Sequence, residues 1–133
     1  MKNLDRKAVE ERVIHSFTCS SAALLGNKCI DLGCKAFIGY DSEFIFIIDT
    51  ARSTQPLRDE KAKPFLESAN QIVISIIKGN SIGEAFEMSQ AKYDKWIEYY
   101  SAHYPEEAPH ILPWLIWDKI HQVSLGQNNI RIY

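Results

Sequence analysis

The side chain best placed for covalent chemistry is Cys19. It follows the run Val13-Ile14-His15-Ser16-Phe17-Thr18, short, β-branched and aromatic, which reads as a strand. Ser20 and Ser21 come next, then Ala22-Ala23-Leu24-Leu25, which reads as a helix with a serine N-cap. A thiol between a strand's carboxyl end and a helix start meets free N–H donors and partial positive charge. Both favour the thiolate, and the N–H groups around Ser20 and Ser21 suit an oxyanion. The plainer alternative is a small buried thiol. A phosphatase loop needs an arginine six positions on, where Leu25 stands, and a thioredoxin-like pair needs a cysteine three positions on, where Ala22 stands. Peptidase-type chemistry remains, and it requires a histidine within hydrogen-bond reach.

The histidines do not supply that base in an obvious way. His15 shares a strand face with Cys19, but four residues at about 3.3 Å each separate them by about 13 Å, too far for direct proton transfer. It is expected to be a hydrogen-bonded core residue. His103, His110 and His121 fall near helix ends and are expected to be surface or capping residues. Cys29 and Cys34 form no C-x-x-C pair, and no zinc-type spacing is present. No metal and no cofactor is expected.

The elements that must position Cys19 follow from periodicity. Asp5 to Arg12 is charged with weak helical spacing, so residues 1–12 are expected to form an N-terminal helix. The helix after Cys19 should run to about Leu32 and stop at Gly33, where glycine takes a left-handed conformation freely. Ala36–Gly39 and Phe44–Ile48 read as further strands. The first two strands flank one helix, which predicts a parallel β-α-β unit. Ala62, Phe65, Leu66, Ala69, Ile72, Val73, Ile76 and Ile77 keep helical spacing throughout. Ser81 and Glu84 have capping-box form before a second long helix. Its Tyr93, Trp96 and Tyr100 fall on the core face, whereas Tyr99 and Tyr104 fall off it and could serve a partner. His103 to Pro109 reads as a break. Pro113 suits the first turn of a short buried helix reaching about Ile120. Gln122–Leu125 and Ile130–Tyr133 could be strands. The expected fold is α/β: a small, mainly parallel sheet flanked by helices, in a single domain over residues 1–133.

Several runs, in their order, resemble the second half of a caspase–gingipain-type cysteine peptidase domain, nearest to the bacterial CHAT branch. They are Val13 to Ser21, Leu25-Gly26, Gly33-Cys34-Lys35-Ala36-Phe37-Ile38-Gly39-Tyr40, Gly79-Asn80-Ser81-Ile82-Gly83-Glu84-Ala85 and Leu125-Gly126. In that family a hydrophobic strand ends in the nucleophilic cysteine and a small-residue helix and a "GA-x-A-x-IG" strand follow. Cys34 replaces the first alanine of that pattern. The resemblance implies a caspase-like half domain with Cys19 as nucleophile and a peptide or protein substrate. It also implies that Tyr40 and Asp41 shape the pocket for the residue before the cut, the acidic Asp41 favouring Arg or Lys. The family's catalytic histidine lies upstream of the cysteine, where this chain has only His15. The base is thus expected from outside the chain: from a second chain supplying the other half, from the rest of a larger protein of which this is a fragment, or within a homo-oligomer. A non-catalytic interaction module with a peptidase-like fold is the alternative.

Bulk composition narrows the rest. The chain has 133 residues, 46% of them hydrophobic, and a net charge of −2. That balance gives no basic face for nucleic acid. No run approaches the roughly 18 apolar residues of a membrane helix, and the amino terminus has no apolar signal run. A cytoplasmic location is expected.

Overall fold

The computed structural model describes residues 5–17, 22–45, 47 and 60–132. Its sheet has the strands β1 (Val13–His15), β2 (Ala36–Tyr40) and β3 (Gln122–Gly126), in that spatial order. β1 runs parallel to β2, with Val13 opposite Ala36 and His15 opposite Ile38. β3 runs antiparallel to β2, with Tyr40 opposite Gln122 and Ala36 opposite Gly126. The sheet is therefore mixed, not mainly parallel: the β-α-β pairing is present, but the second neighbour of β2 arrives from the carboxyl-terminal end of the chain. Phe44, Ile45 and Ile47 are not in a strand, and neither are Ile130 to Ile132. Residues 46, 48 and 133 of those expected strands lie outside the described residues.

β2 is buried at every position, and its alternation feeds two cores. Ala36 and Ile38 face Ile72, Ile76, Ile82 and Ala85, which belong to α3 (Lys63–Ile77) and α4 (Ile82–His103). Phe37 faces the other way, onto Val9, Ala22, Cys29 and Cys34. Those residues come from the single-turn α1 (Arg6–Val9), the π-helical turn Ala22–Gly26, and α2 (Asn27–Asp31) with its exit. Helices on both faces explain why the central strand is buried along its whole length. Gly26 allows the close approach, since a Cβ there would meet Phe37 at 2.8 Å.

Gly33 ends the helical segment with φ +98°, as expected of a glycine stop. The Ser81–Glu84 capping box at the start of α4 is complete in both directions. The break after that helix is shorter than expected: α4 continues to His103, and α5 (Ala108–His121) starts before Pro113. Pro109 takes the first turn, leaving Pro113 inside the helix. A third core forms where Phe65, Tyr93, Tyr100, Ile111 and Leu115 meet, with Phe44 and Ile47 packed against it.

Candidate functional site

The carboxyl ends of β1 and β2 lie side by side because the strands are parallel. In open parallel sheets ligands collect outside such ends, and the β1–β2 pair is the parallel part of this mixed sheet. On the β1 side the chain passes through Ser16, whose N–H donates to the Ile38 carbonyl at 2.9 Å, and reaches Phe17. The Phe17 ring lies 5.4 Å from Phe44, which lies 4.9 Å from Tyr40. Cys19, Ser20 and Ser21 lie outside the described residues. The helical segment resumes at Ala22 with the π-helical turn.

On the β2 side, Tyr40 and Asp41 point to different surroundings. Tyr40 is fully buried and shares a 2.7 Å hydrogen bond with the Tyr93 hydroxyl. Burial pushes both phenols well above the ordinary tyrosine value. Gln122 donates to Ser89 Oγ at 3.0 Å and accepts from Gln90 at 2.8 Å. Tyr40 thus underlies the surface and does not itself line it.

Asp41 is at the surface. Its Oδ1 lies 2.7 Å from Nδ1 of His121, and its N–H donates to the His121 carbonyl at 2.9 Å. The Trp117 ring stacks on the imidazole at 4.2 Å between centroids. A carboxylate on Nδ1 selects the tautomer in which Nδ1 carries the proton, leaving Nε2 as an acceptor. The protonated state would add an ion pair in the same place. His121 is a partly exposed residue at a helix end, as expected: it closes α5 at the α5–β3 corner, which the antiparallel pairing of β3 brings to the end of β2.

Asp118, one turn earlier on α5, is 0% exposed. Its Oδ1 accepts from the Ile45 N–H at 2.8 Å, whereas Oδ2 has no partner among the described residues. Burial raises its carboxyl to about 7, the Ile45 hydrogen bond opposing only in part. Nothing in the sequence reading singled it out. The available signal was a lone carboxylate within the apolar run Ile111 to Ile120, since a buried acid needs a reason. His15 Nε2 is also buried and unpartnered among the described residues, and burial lowers its pKa. The hydrogen bond expected of His15 is thus not made through Nε2 among the described residues.

Cys29 and Cys34 are buried free thiols whose pKa values are raised by desolvation. Cys34 Sγ lies 3.1 Å from both the Arg12 and Ala36 carbonyls. Both read as structural. Among the described residues no three His, Cys, Asp or Glu side chains are placed to share a metal ion. No helix among them is long and apolar enough to cross a membrane. Family models, curated proteins and solved structures all gave no match to the chain.

Proposed function

We propose that this domain is a thiol-dependent peptidase module of caspase–gingipain type, with Cys19 as nucleophile and His121, oriented by Asp41, as proton acceptor. The observation that carries the reading is the 2.7 Å Asp41–His121 pair at the carboxyl end of β2, beside the parallel strand that leads towards Cys19. It offers an internal candidate for the base that the family resemblance would seek outside the chain. In this reading Asp41 orients the imidazole, in place of recognising a basic substrate residue. The acceptor nitrogen takes the thiol proton, the thiolate attacks the scissile carbonyl, and the same proton passes to the leaving amine.

The test is the pH dependence of Cys19 alkylation, read by mass spectrometry with Cys29 and Cys34 as buried controls. The reading expects a midpoint below the ordinary value of about 8.5. His121→Ala should move that midpoint upward and slow peptide cleavage by about 100-fold or more, and Cys19→Ser should abolish cleavage. An ordinary midpoint that His121→Ala leaves in place refutes the assignment. A depressed midpoint indifferent to His121 returns the base to a second chain.

One observation favours the interaction-module alternative. Pro113, Ile116, Trp117 and Ile120 form an exposed stripe at i, i+3, i+4 and i+7 on α5, with Ile120 67% exposed. Apolar stripes of this kind mark partner surfaces. Light scattering that shows an oligomer dispersed by Ile120→Lys, together with an unreactive Cys19, would favour it over catalysis.

A further inference from the structure

Residues 41–45 leave β2 without regular secondary structure, and one short stretch of α5 holds them. Trp117 Nε1 donates to the Glu43 carbonyl at 2.9 Å. The Ile45 N–H donates to Asp118 Oδ1 at 2.8 Å. His121 Nδ1 meets Asp41 Oδ1 at 2.7 Å, and the Asp41 N–H reaches the His121 carbonyl at 2.9 Å. Of these anchors, the Asp118 contact is the innermost, with its side chain wholly withdrawn from water.

We propose that Asp118 is a proton-operated latch for the 41–45 segment. In its neutral form the carboxyl accepts the Ile45 N–H through Oδ1 and carries the proton on Oδ2, so no charge is buried. Ionisation spreads a full negative charge over both oxygens, of which Oδ2 has no partner among the described residues. Two effects then compete. A carboxylate accepts the Ile45 N–H more strongly than a neutral acid does, but a buried, unpaired charge costs far more than one charge-assisted bond returns. The group's elevation to about 7, in spite of the Ile45 bond, says that desolvation wins. The ionised group gains water most directly by loosening the segment that covers it.

Among the described residues, the surrounding groups do not supply a counter-charge. Tyr40 on β2 and Tyr93 on α4 are the titratable neighbours from below, and both are held neutral by burial. On α5 itself, Lys119 is committed to Asp94 of α4 at 2.6 Å, and His121 to Asp41. Glu43 and Asp41 on the segment are acidic and can only oppose ionisation. α3 meets this core through the apolar Phe65. The segment is thus fastened below neutral pH and released above it. Because Asp41 rides on the segment, its setting against His121 changes with it. The latch stands on its own contacts and does not depend on any role for Cys19.

The experiment is a nuclear magnetic resonance titration of the full chain from acid to mildly alkaline pH. It follows the Asp118 side-chain carboxyl carbon, the Ile45 amide and the Trp117 indole N–H. Expected are three coincident midpoints near pH 7. The Ile45 and Trp117 transitions should vanish in Asp118→Asn, which keeps the acceptor oxygen without the charge, and persist in His121→Gln. A carboxyl midpoint in the ordinary aspartate range overturns the proposal. So does an Ile45 transition that survives Asp118→Asn or disappears in His121→Gln, or an Ile45 amide that does not titrate at all. If Asp118→Asn does not fold, the wild-type carboxyl midpoint and the His121→Gln titration decide the matter between them.

Discussion

Ser68, Ser75 and Ser89 lie buried between α3 and α4, much as Asp118 and His15 lie near the carboxyl end of the sheet. The serines are provided for. Ser68 Oγ donates to the Pro64 carbonyl at 2.7 Å, Ser89 Oγ to the Ser68 carbonyl at 2.6 Å, and Ser75 Oγ accepts from Gln71 at 2.9 Å. Asp118 Oδ2 and His15 Nε2 have no such partners among the described residues. A helix pair satisfies small hydroxyls from within its own two helices, one turn away or directly across the contact. The sheet end gathers side chains from β1, β2, α5 and the 41–45 segment, so no local rule pairs its polar groups. Unsatisfied buried groups of that kind mark places where something other than stability shapes the residues.

The two regions share an anchor, and removing it should have the largest effect. Phe65 is fully buried among Tyr93, Tyr100, Ile111 and Leu115, with Phe44 and Ile47 against the same cluster. Phe65→Ala should cost about 3–5 kcal/mol in urea unfolding. If the loss falls below about 1 kcal/mol, the helical core does not support the sheet end as its contacts suggest.

Asp118 should give the next effect, with a direction opposite to the usual acid behaviour. Its folded pKa is raised from 3.8 to about 7. The folded state therefore holds the proton where the unfolded chain has lost it. Stability from this group is fully present below about pH 4 and is lost as pH rises through about 7. The shift corresponds to an upper figure on the order of 4 kcal/mol, which any entry of water reduces. Thermal melts across that range should show wild type weakening towards pH 7, and Asp118→Asn should remove much of the slope. Equal slopes in the two proteins would put the sheet end on the same footing as the helices.

This contrast also separates what the residues disclosed from what they withheld. The long helices, the Ser81–Glu84 box, the Gly33 stop and the β1–β2 parallel unit follow from spacing within a few residues, and the structure contains all of them. The run Phe44 to Ile48 has strand composition, yet Phe44, Ile45 and Ile47 are not in a strand. The place beside β2 goes to Gln122–Gly126, and Phe44 and Ile47 pack on the helical core. Strand composition says that a segment suits a buried surface, not which surface it finds. The site divides in the same way. Asp41 was singled out only through the family resemblance, and there as a pocket residue. Its partner His121 lies eighty positions away, and only the return of β3 joins them.

Tyr40→Phe tests the boundary between the regions. The 2.7 Å bond to Tyr93 spans from β2 to α4, and its loss leaves a buried hydroxyl on Tyr93. A cost of about 1–3 kcal/mol is expected, with Cys19 reactivity unchanged, because Tyr40 lies beneath the proposed site. A large change in Cys19 alkylation at small cost in stability would instead make Tyr40 part of that site.

Ser81→Ala should have the smallest effect, for a reason the same comparison supplies. Ser81 Oγ accepts the Glu84 N–H at 3.2 Å, and Glu84 Oε1 accepts the Ser81 N–H at 3.1 Å and a 2.7 Å contact from Arg131. The Glu84 side of this arrangement is exposed, so water can take over much of what the substitution removes. A cost of about 1 kcal/mol is expected. The capping contacts hold Glu84 below the usual carboxylate range, so this carboxylate is already ionised where Asp118 is changing state. The variant should therefore lower the melting curve evenly between pH 5 and pH 8, roughly the span over which Asp118 titrates. A loss concentrated near pH 7 would mean that the start of α4 and the sheet end unfold as one coupled unit.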